Sequence, residues 1–458
     1  MSASQLPALA PRFFVLTDIS DEEPDDQQSL VRLLLYACDI EIEGLVACSS
    51  QWKAIHHSPL RPEYIHQVLD AYAQVEDALR LHRPEYPSAS SLRQKVAVGN
   101  GNDMLSVGDA FQTEGSELLR QRILAEDPRP LWVGIWGGAS TLAQALWTLR
   151  KQLPREELRP LLHKLWVYDI QGQDDAGAWI ATQFPEIQYM RNQYAWRGIS
   201  RHVNHEWFES RGDHEELVSP AWFRKHIQED HGPLGAMYPD ARYLHEGDTA
   251  SFLHLLHPGL HDPCEPDQGG WGGRFHAEPQ RNVWSGGCPV TDEQAYGDFF
   301  MYSDAADRCI WQCWEQRPTC NVYNSILRWR KEIQQDFAAR MDWCILSPEE
   351  ANYPPHIVLN GDRESRVMRL QPLAGTYLEL DASSSWDPQG YPLYFKWWMY
   401  EEAGNYPQPI HIECDTHAIL GFRIPHDAGG RRIHLILHLS NGGQPPLCSY
   451  RRVILCIS

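Results

Sequence analysis

No run of about 20 apolar residues occurs in the 458-residue chain, so no membrane span is expected. Basic side chains are also few. Forty Lys and Arg stand against 61 Asp and Glu, a formal net charge of -21. General nucleic-acid binding is therefore disfavoured, because phosphate contacts draw on Lys and Arg. The N-terminus lacks a basic segment followed by an apolar one, so no signal peptide is expected and the chain as it stands reads as cytoplasmic. A secreted or periplasmic location would follow if such a peptide had been removed. The 11 cysteines are odd in number. Cys309 and Cys313 have helical spacing, but no second pair or His stands at zinc-ligand distance in sequence. Buried free thiols are expected rather than a disulfide framework. No GxGxxG opens a helix after the first strand, so the dinucleotide fingerprint is missing.

What the chain does have is a knot of acid near its start. Phe13 to Leu16 reads as a fully buried strand. It ends in Asp18, Asp21, Glu22, Glu23, Asp25 and Asp26. A helix follows, with Leu30, Val31, Leu33, Leu34, Leu35 and Ala37 on its buried side and Gln27, Gln28 and Arg32 available to solvent, and Ile42 to Cys48 reads as a second strand. This is a β-α-β unit of a parallel sheet. Ligands collect where such strands deliver their carboxyl ends to helix N-termini. Some of the acid needs no function, since carboxylates are favourable in a first helical turn. Six acids in nine residues nevertheless repel one another unless solvent or a cation compensates. Carboxylates without Cys or His nearby suit a hard ion, Ca²⁺ ahead of Mg²⁺. A sugar held by its hydroxyls is the natural second ligand.

The rest of the chain repeats the theme. Trp52 to Pro62 is expected to be a loop on the same edge, carrying His56 and His57. Glu63 to Arg80 has helical periodicity. Pro130 to Trp136 is another buried strand. Gly137 and Gly138 then permit a tight turn, with Ser140 or Thr141 expected to cap the next helix. Lys164 to Ile170 delivers Asp169, Asp174 and Asp175 to that edge. After the strand Glu186 to Met190, Asn192 could hydrogen-bond a sugar hydroxyl, and Tyr194 and Trp196 could stack on a ring. Plain surface aromatics are the alternative. Glu206 to Ile227 and Asp292 to Arg308 are expected to be helical, as is Tyr323 to Met341. Glu246 and Asp248 precede a helix, where Asp248 could equally be a cap. Trp271, in a glycine-rich loop, could cover a sugar. After Ser347 to Pro355 the pattern becomes short alternating runs separated by turns: His356–Leu359, Tyr377–Leu380, Tyr394–Tyr400, Ile410–Glu413, Ala418–Phe422 and Ile433–Leu439. That is a β-sandwich signature. Trp397 and Trp398 alternate, so one should be buried and one exposed.

LTDISDEEPDDQQSLVRLLLY (16–36) resembles the opening of the DUF1593-type, cellulose-binding, nucleoside-hydrolase-like proteins, distant relatives of the inosine-uridine-preferring nucleoside hydrolases. PLWVGIWGGASTLAQAL (130–146), YDIQGQDDAGAWI (168–180), LGAMYPD (234–240), EGDTASFLHLL (246–256) and GGWGGRF (269–275) carry the same resemblance. DASSSWDPQG (381–390) resembles the small sandwich that ends them. The resemblance implies an α/β fold with a mostly parallel, Rossmann-like sheet over 12–346, a linker at 347–355 and an Ig- or PKD-like sandwich over 356–458. Residues 1–11 are expected to be a flexible arm.

It also implies a Ca²⁺-dependent hydrolase of a glycosyl bond. The ion would be held by Asp18, Asp21, Asp26 and Asp248, and the sugar by Asp25, Asn192, Trp196, Glu246 and Trp271. The usual hydrolase opening has a Pro-Gly turn that this chain lacks. Asp18 and Asp21 therefore compete for the role of catalytic carboxylate. The leaving group's proton would come from His56, His57, His202, His205 or His231. The expected partner is a nucleoside or another glycoside. A non-catalytic carbohydrate-binding protein on the same scaffold is the alternative, and self-association into a homo-oligomer stays open.

Overall fold

In a computed structural model of the chain, the residues described are 10–21, 23–199, 214–240, 245–281, 298–308, 320–410 and 412–458. Residues 1–9 of the expected arm 1–11 and the candidates Glu22, His202 and His205 lie outside the described residues, as do 206–213 of the expected helix Glu206 to Ile227. Beyond them that segment is helical at Pro220–Phe223 and continues as a wider π turn, Arg224–Gln228.

Eight strands form the main sheet: β1 (Arg12–Thr17), β2 (Glu41–Ala47), β3 (Val96–Val98), β4 (Leu131–Ile135), β5 (Leu165–Ile170), β6 (Gln188–Asn192), β7 (Phe275–Arg281) and β8 (Asp298–Asp304). Their order is β3-β2-β1-β4-β5-β6-β8-β7, and every pairing is parallel except β7 with β8. Alternate residues of β1 feed two cores. Phe13 and Val15 pack on one face, with the helix Asp25–Leu35, and Phe14 and Leu16 on the other, with the helix Ser140–Gln152. The pleat sends successive side chains to opposite faces, so a strand covered on both reads as an unbroken apolar run. Two glycines make room for this strand. A Cβ on Gly44 would come within 2.2 Å of the Phe14 ring, and one on Gly134 within 2.4 Å of Phe13.

The short strands β9 (Asp307–Arg308) and β10 (Cys320–Asn321) pair with each other. The C-terminal part has a four-stranded sheet, in the order β11 (Met368–Leu370), β16 (Cys448–Cys456), β15 (Arg432–Asn441), β13 (Leu393–Met399). A two-stranded sheet, β12 (Tyr377–Asp381) with β14 (Ile419–Arg423), faces it across a core that includes Leu380, Trp397, Leu420, Leu435 and Val453. This is a β-sandwich. Its outer face is not free: Tyr400, Ile436, Cys448 and Tyr450 share a core with Trp271 and Trp329 of the α/β part. Buried Arg452 ties the two together, donating to the carbonyls of Leu260 (2.5 Å) and Gly269 (2.8 Å).

Several local expectations are corrected. Trp52 to Pro62 begins as a helix, Gln51–His56, because Ser50 accepts the backbone N–H of Lys53 as its N-cap. Glu63 to Arg80 splits into Pro62–Tyr72 and Glu76–His82. Neither Ser140 nor Thr141 is a cap. Ser140 is already the first residue of its helix, and its N–H goes to Asp174 Oδ2 at 3.1 Å. The described part of Asp292 to Arg308 is strand, not helix: Phe299 and Met301 are buried while Phe300 is 74% exposed, a period of two. Residues 410, 412 and 413 lie outside any strand. β16 was missed altogether, because two buried arginines, Arg451 and Arg452, interrupt its apolar pattern. Trp397 is buried as expected of one of the pair. Trp398 is half-buried rather than exposed, 5.6 Å from the ring of Trp329.

Candidate metal and sugar site at the switch point of the sheet

The strand order turns back between β1 and β4, since β2 and β3 lie to one side and β5 and β6 to the other. A crevice opens at the carboxyl ends of the strands where such a reversal occurs. The loop after β1 supplies Asp18, and the helix Asp25–Leu35 begins with Asp25 and Asp26. The loop before the helix Thr249–Leu253 supplies Asp248. All four are buried, at 2 to 7% exposed. One carboxylate oxygen from each of Asp25, Asp26 and Asp248 lies within 4.8 Å of the others. Asp26 Oδ1 accepts the Thr17 hydroxyl, and Asp18 Oδ2 accepts that of Ser50 at 2.5 Å. Asp25 Oδ1 and Asp248 Oδ2 are buried without any hydrogen-bond partner.

The acids strain one another electrostatically. Burial raises the pKa of Asp25 to about 6, helped by the charge of Asp18. Burial and then repulsion from the neighbouring acids drive Asp26 and Asp248 well above the usual carboxylate range. Asp18 is raised by burial too, against the opposing pull of Lys53 and the Ser50 hydroxyl. Lys53 is itself buried and donates to Ser20. Carboxylates buried this close ionise together only when a cation compensates. An all-oxygen donor set with two orphaned oxygens fits a hard divalent ion.

The loop after β4 closes one side. A Cβ on Gly137 would come within 2.8 Å of Asp18, and one on Gly138 within 2.4 Å of Asp174 Oδ2. Asp174 also accepts the Ala176 N–H, and burial raises its pKa to about 7. Its neighbours are structural. Asp169 pairs with Arg191 at 2.9 Å, and Asp175 accepts the Met104 N–H.

The other expected site residues fall differently. Asp21 is exposed and lies apart from the three-acid cluster. Glu246 Oε2 forms a fully buried ion pair with Arg32 at 2.6 Å, so Arg32 does not reach solvent as expected, while Glu246 Oε1 is buried without a hydrogen-bond partner. Asn192 is fully buried: its amide donates to Tyr168 Oη (2.7 Å) and its carbonyl accepts the Trp196 N–H (2.9 Å). Trp196 is 1% exposed, and so is Trp271, whose indole N–H reaches Tyr450 Oη at 3.2 Å. The expected sugar wall of Asn192, Trp196 and Trp271 is therefore interior packing, because the C-terminal sandwich covers Trp271 and local hydrogen bonds hold the other two. His56 and His57 are exposed, and His231 is engaged with Asp342 at 3.0 Å. Sequence reasoning missed Ser50 and Lys53. The signal was there: both lie just past the end of β2, on the edge that the acids share.

Known proteins bear out the family reading. Residues 12–275 match the family described as "Cellulose-binding Sde182, nucleoside hydrolase-like domain". Residues 377–457 match "Cellulose-binding protein Sde0182, C-terminal domain". A search of curated proteins finds no match. A solved structure from Saccharophagus degradans, described as a nucleoside hydrolase-related hypothetical protein associated with carbohydrate metabolism, is 36% identical. It covers 98% of this chain and 100% of its own, with a TM-score of 0.84. The crystal structure of an effector protein, 12% identical, covers 74% of this chain and 95% of its own at a TM-score of 0.38, too low to carry an argument. By the match over most of its α/β part and by this full-length likeness, the chain belongs to the cellulose-binding, nucleoside-hydrolase-like family.

Proposed function

We propose that the chain is a calcium-dependent hydrolase of a glycosyl bond, N-ribosyl or related, acting at the switch-point acids. One observation carries this reading: two buried carboxylate oxygens, on Asp25 and Asp248, lack partners inside a cluster of metal-ligand size. Asp25, Asp26 and Asp248 would hold the ion. Ca²⁺ suits flexible carboxylate cages better than Mg²⁺, which demands near-ideal octahedral geometry. When bound, the ion would act as a Lewis acid toward sugar hydroxyls and a water.

Asp18 is the better candidate for the catalytic carboxylate than Asp21, since it is buried beside the cluster and fixed by Ser50. Its carboxylate would take the proton of the attacking water. The water oxygen bonds to the anomeric carbon, and the bond to the leaving group breaks with its electron pair on that group. Negative charge at this position favours the oxocarbenium-like transition state.

A second reading is a non-catalytic carbohydrate-binding protein. It is favoured by the cellulose-binding description of both matched families.

Melting temperature with EDTA, Ca²⁺ or Mg²⁺, each with and without ribose, tests the metal. Ca²⁺ at 100 times its Kd should stabilise the protein by about 2.7 kcal/mol. Ribose should enlarge the shift, and Asp248→Asn should abolish it. A verified metal-free protein that no ion stabilises would sink the calcium reading. A Ca²⁺ response without release of base or sugar from any nucleoside or glycoside would favour the binding reading.

A further inference from the structure

The short helix Gln51–His56 reverses the usual partition of side chains. It buries Lys53, at 3% exposed, and leaves Ile55 at 55%. Lysine is among the residues least often buried, and a buried ammonium is costly unless opposite charge and hydrogen bonds compensate it. The helix lies just past the end of β2, on the edge where the acids gather. Its N-cap, Ser50, donates its hydroxyl to Asp18 Oδ2 at 2.5 Å. One turn later the Lys53 ammonium donates to the hydroxyl of Ser20, two residues beyond Asp18. One helical turn therefore grips both the Asp18 carboxylate and the loop that carries it. Gly137 adds a wall, since a Cβ there would come within 2.8 Å of Asp18 Oδ1.

The charge of Lys53 reaches beyond this loop. Burial raises Asp18, and the ammonium is the largest pull against that rise; it acts in the same direction on Asp25 and Asp26. Yet Asp18 is not one of the three residues whose carboxylate oxygens lie within 4.8 Å of one another, which are Asp25, Asp26 and Asp248. A fourth buried acid stands beside the cluster without belonging to it. With all four ionised, a divalent ion would offset two of the charges and Lys53 a third.

We propose that Lys53 is a positioning residue that keeps Asp18 out of the ion's ligand set and so reserves it for the attacking water. The proposal rests on the calcium-dependent reading of the site and divides its acids into three ligands and one base. Lys53 acts in two ways. Its hydrogen bond to Ser20 tethers the loop, and its charge gives Asp18 a partner other than the ion. Affinity of a carboxylate cage for Ca²⁺ follows the number of charged ligands. Holding one acid back therefore lowers metal affinity and leaves a carboxylate able to take a proton.

Isothermal titration of the metal-free, full-length protein with CaCl2, together with melting in EDTA, compares wild type, Lys53→Met, Asp18→Asn and the double variant. Lys53→Met removes the charge and the tether with little change in bulk. It should tighten Ca²⁺ binding at least about tenfold as Asp18 joins the ligands. In the Asp18→Asn background the same change should bring a gain of about threefold or less. In EDTA, Lys53→Met should lower the melting temperature, and Asp18→Asn should restore most of that loss. If Lys53→Met does not fold, Ser20→Ala, which removes only the tether, takes its place and should tighten binding about threefold. Unchanged or weaker Ca²⁺ binding in Lys53→Met, with wild type binding, overturns the proposal and leaves the calcium reading in place. If no variant binds any ion, the calcium reading fails, and the EDTA melts decide the hold of Lys53 on Asp18: coupled losses support it and additive losses overturn it.

Discussion

Arg32→Met probes how the site is built. Arg32 sits on the helix that begins with Asp25 and Asp26, and its partner Glu246 lies two residues before Asp248. The pair is fully buried. Arg32 Nη1 donates to Glu246 at 2.6 Å and Gln334 at 3.0 Å, Nη2 to the Ile333 carbonyl at 2.7 Å, and the guanidinium lies 4.1 Å from the Phe337 ring centroid. Met fills a similar volume but strands the Glu246 carboxylate without water or counter-charge. Removing one partner of a buried pair costs about 3–5 kcal/mol. Glu246→Gln in the same background removes the stranded charge, so the double variant should recover part of that loss, with a coupling of at least about 1 kcal/mol. Urea unfolding of wild type, both single variants and the double variant measures this. The Ca²⁺-induced shift should shrink in Arg32→Met, since the pair sets where Asp248 lies relative to Asp25 and Asp26. Additive effects within about 0.5 kcal/mol, with an intact Ca²⁺ shift, would refute the reasoning.

Burial holds the pKa of Asp174 at about 7, above the ordinary carboxylate value, so the folded state binds its proton more tightly than the unfolded one. The stability this contributes is full below about pH 4 and is lost as pH rises through 7, by up to about 4 kcal/mol. Melting curves across that range should flatten in Asp174→Asn; an unchanged slope would assign the effect elsewhere. Trp271→Ala empties a buried site between the α/β sheet and the sandwich and should cost about 3–5 kcal/mol in urea unfolding. A loss below about 1 kcal/mol would mean that the two parts do not stabilise each other there. Gly137→Ala puts a methyl group 2.8 Å from Asp18 and should weaken any Ca²⁺ and ribose response more than it lowers the melting temperature of the metal-free protein. The reverse ranking would remove Asp18 from the site.

The sequence by itself determined the parallel sheet and the edge where its acids gather. Buried strands such as Phe13 to Leu16 and Pro130 to Trp136 are continuous apolar runs, and local pattern is enough to find them. Asp25, Asp26 and Asp248 were legible for a similar reason, as acids at the carboxyl ends of strands or the first turns of helices. Tertiary structure alone decided which polar and aromatic groups are used up by interior contacts. Glu246, Asn192 and Trp271 look the same in sequence whether they meet a sugar or one another. Only the fold shows that Arg32 neutralises the first, Tyr168 and Trp196 bond the second, and Tyr450 covers the third. β16 escaped for the converse reason. Arg451 and Arg452 mark a solvated stretch to any local rule, yet both are buried because Asp362 and carbonyls from distant loops meet their charges. Burial of a charge depends on partners far away in the chain, and no local window contains them.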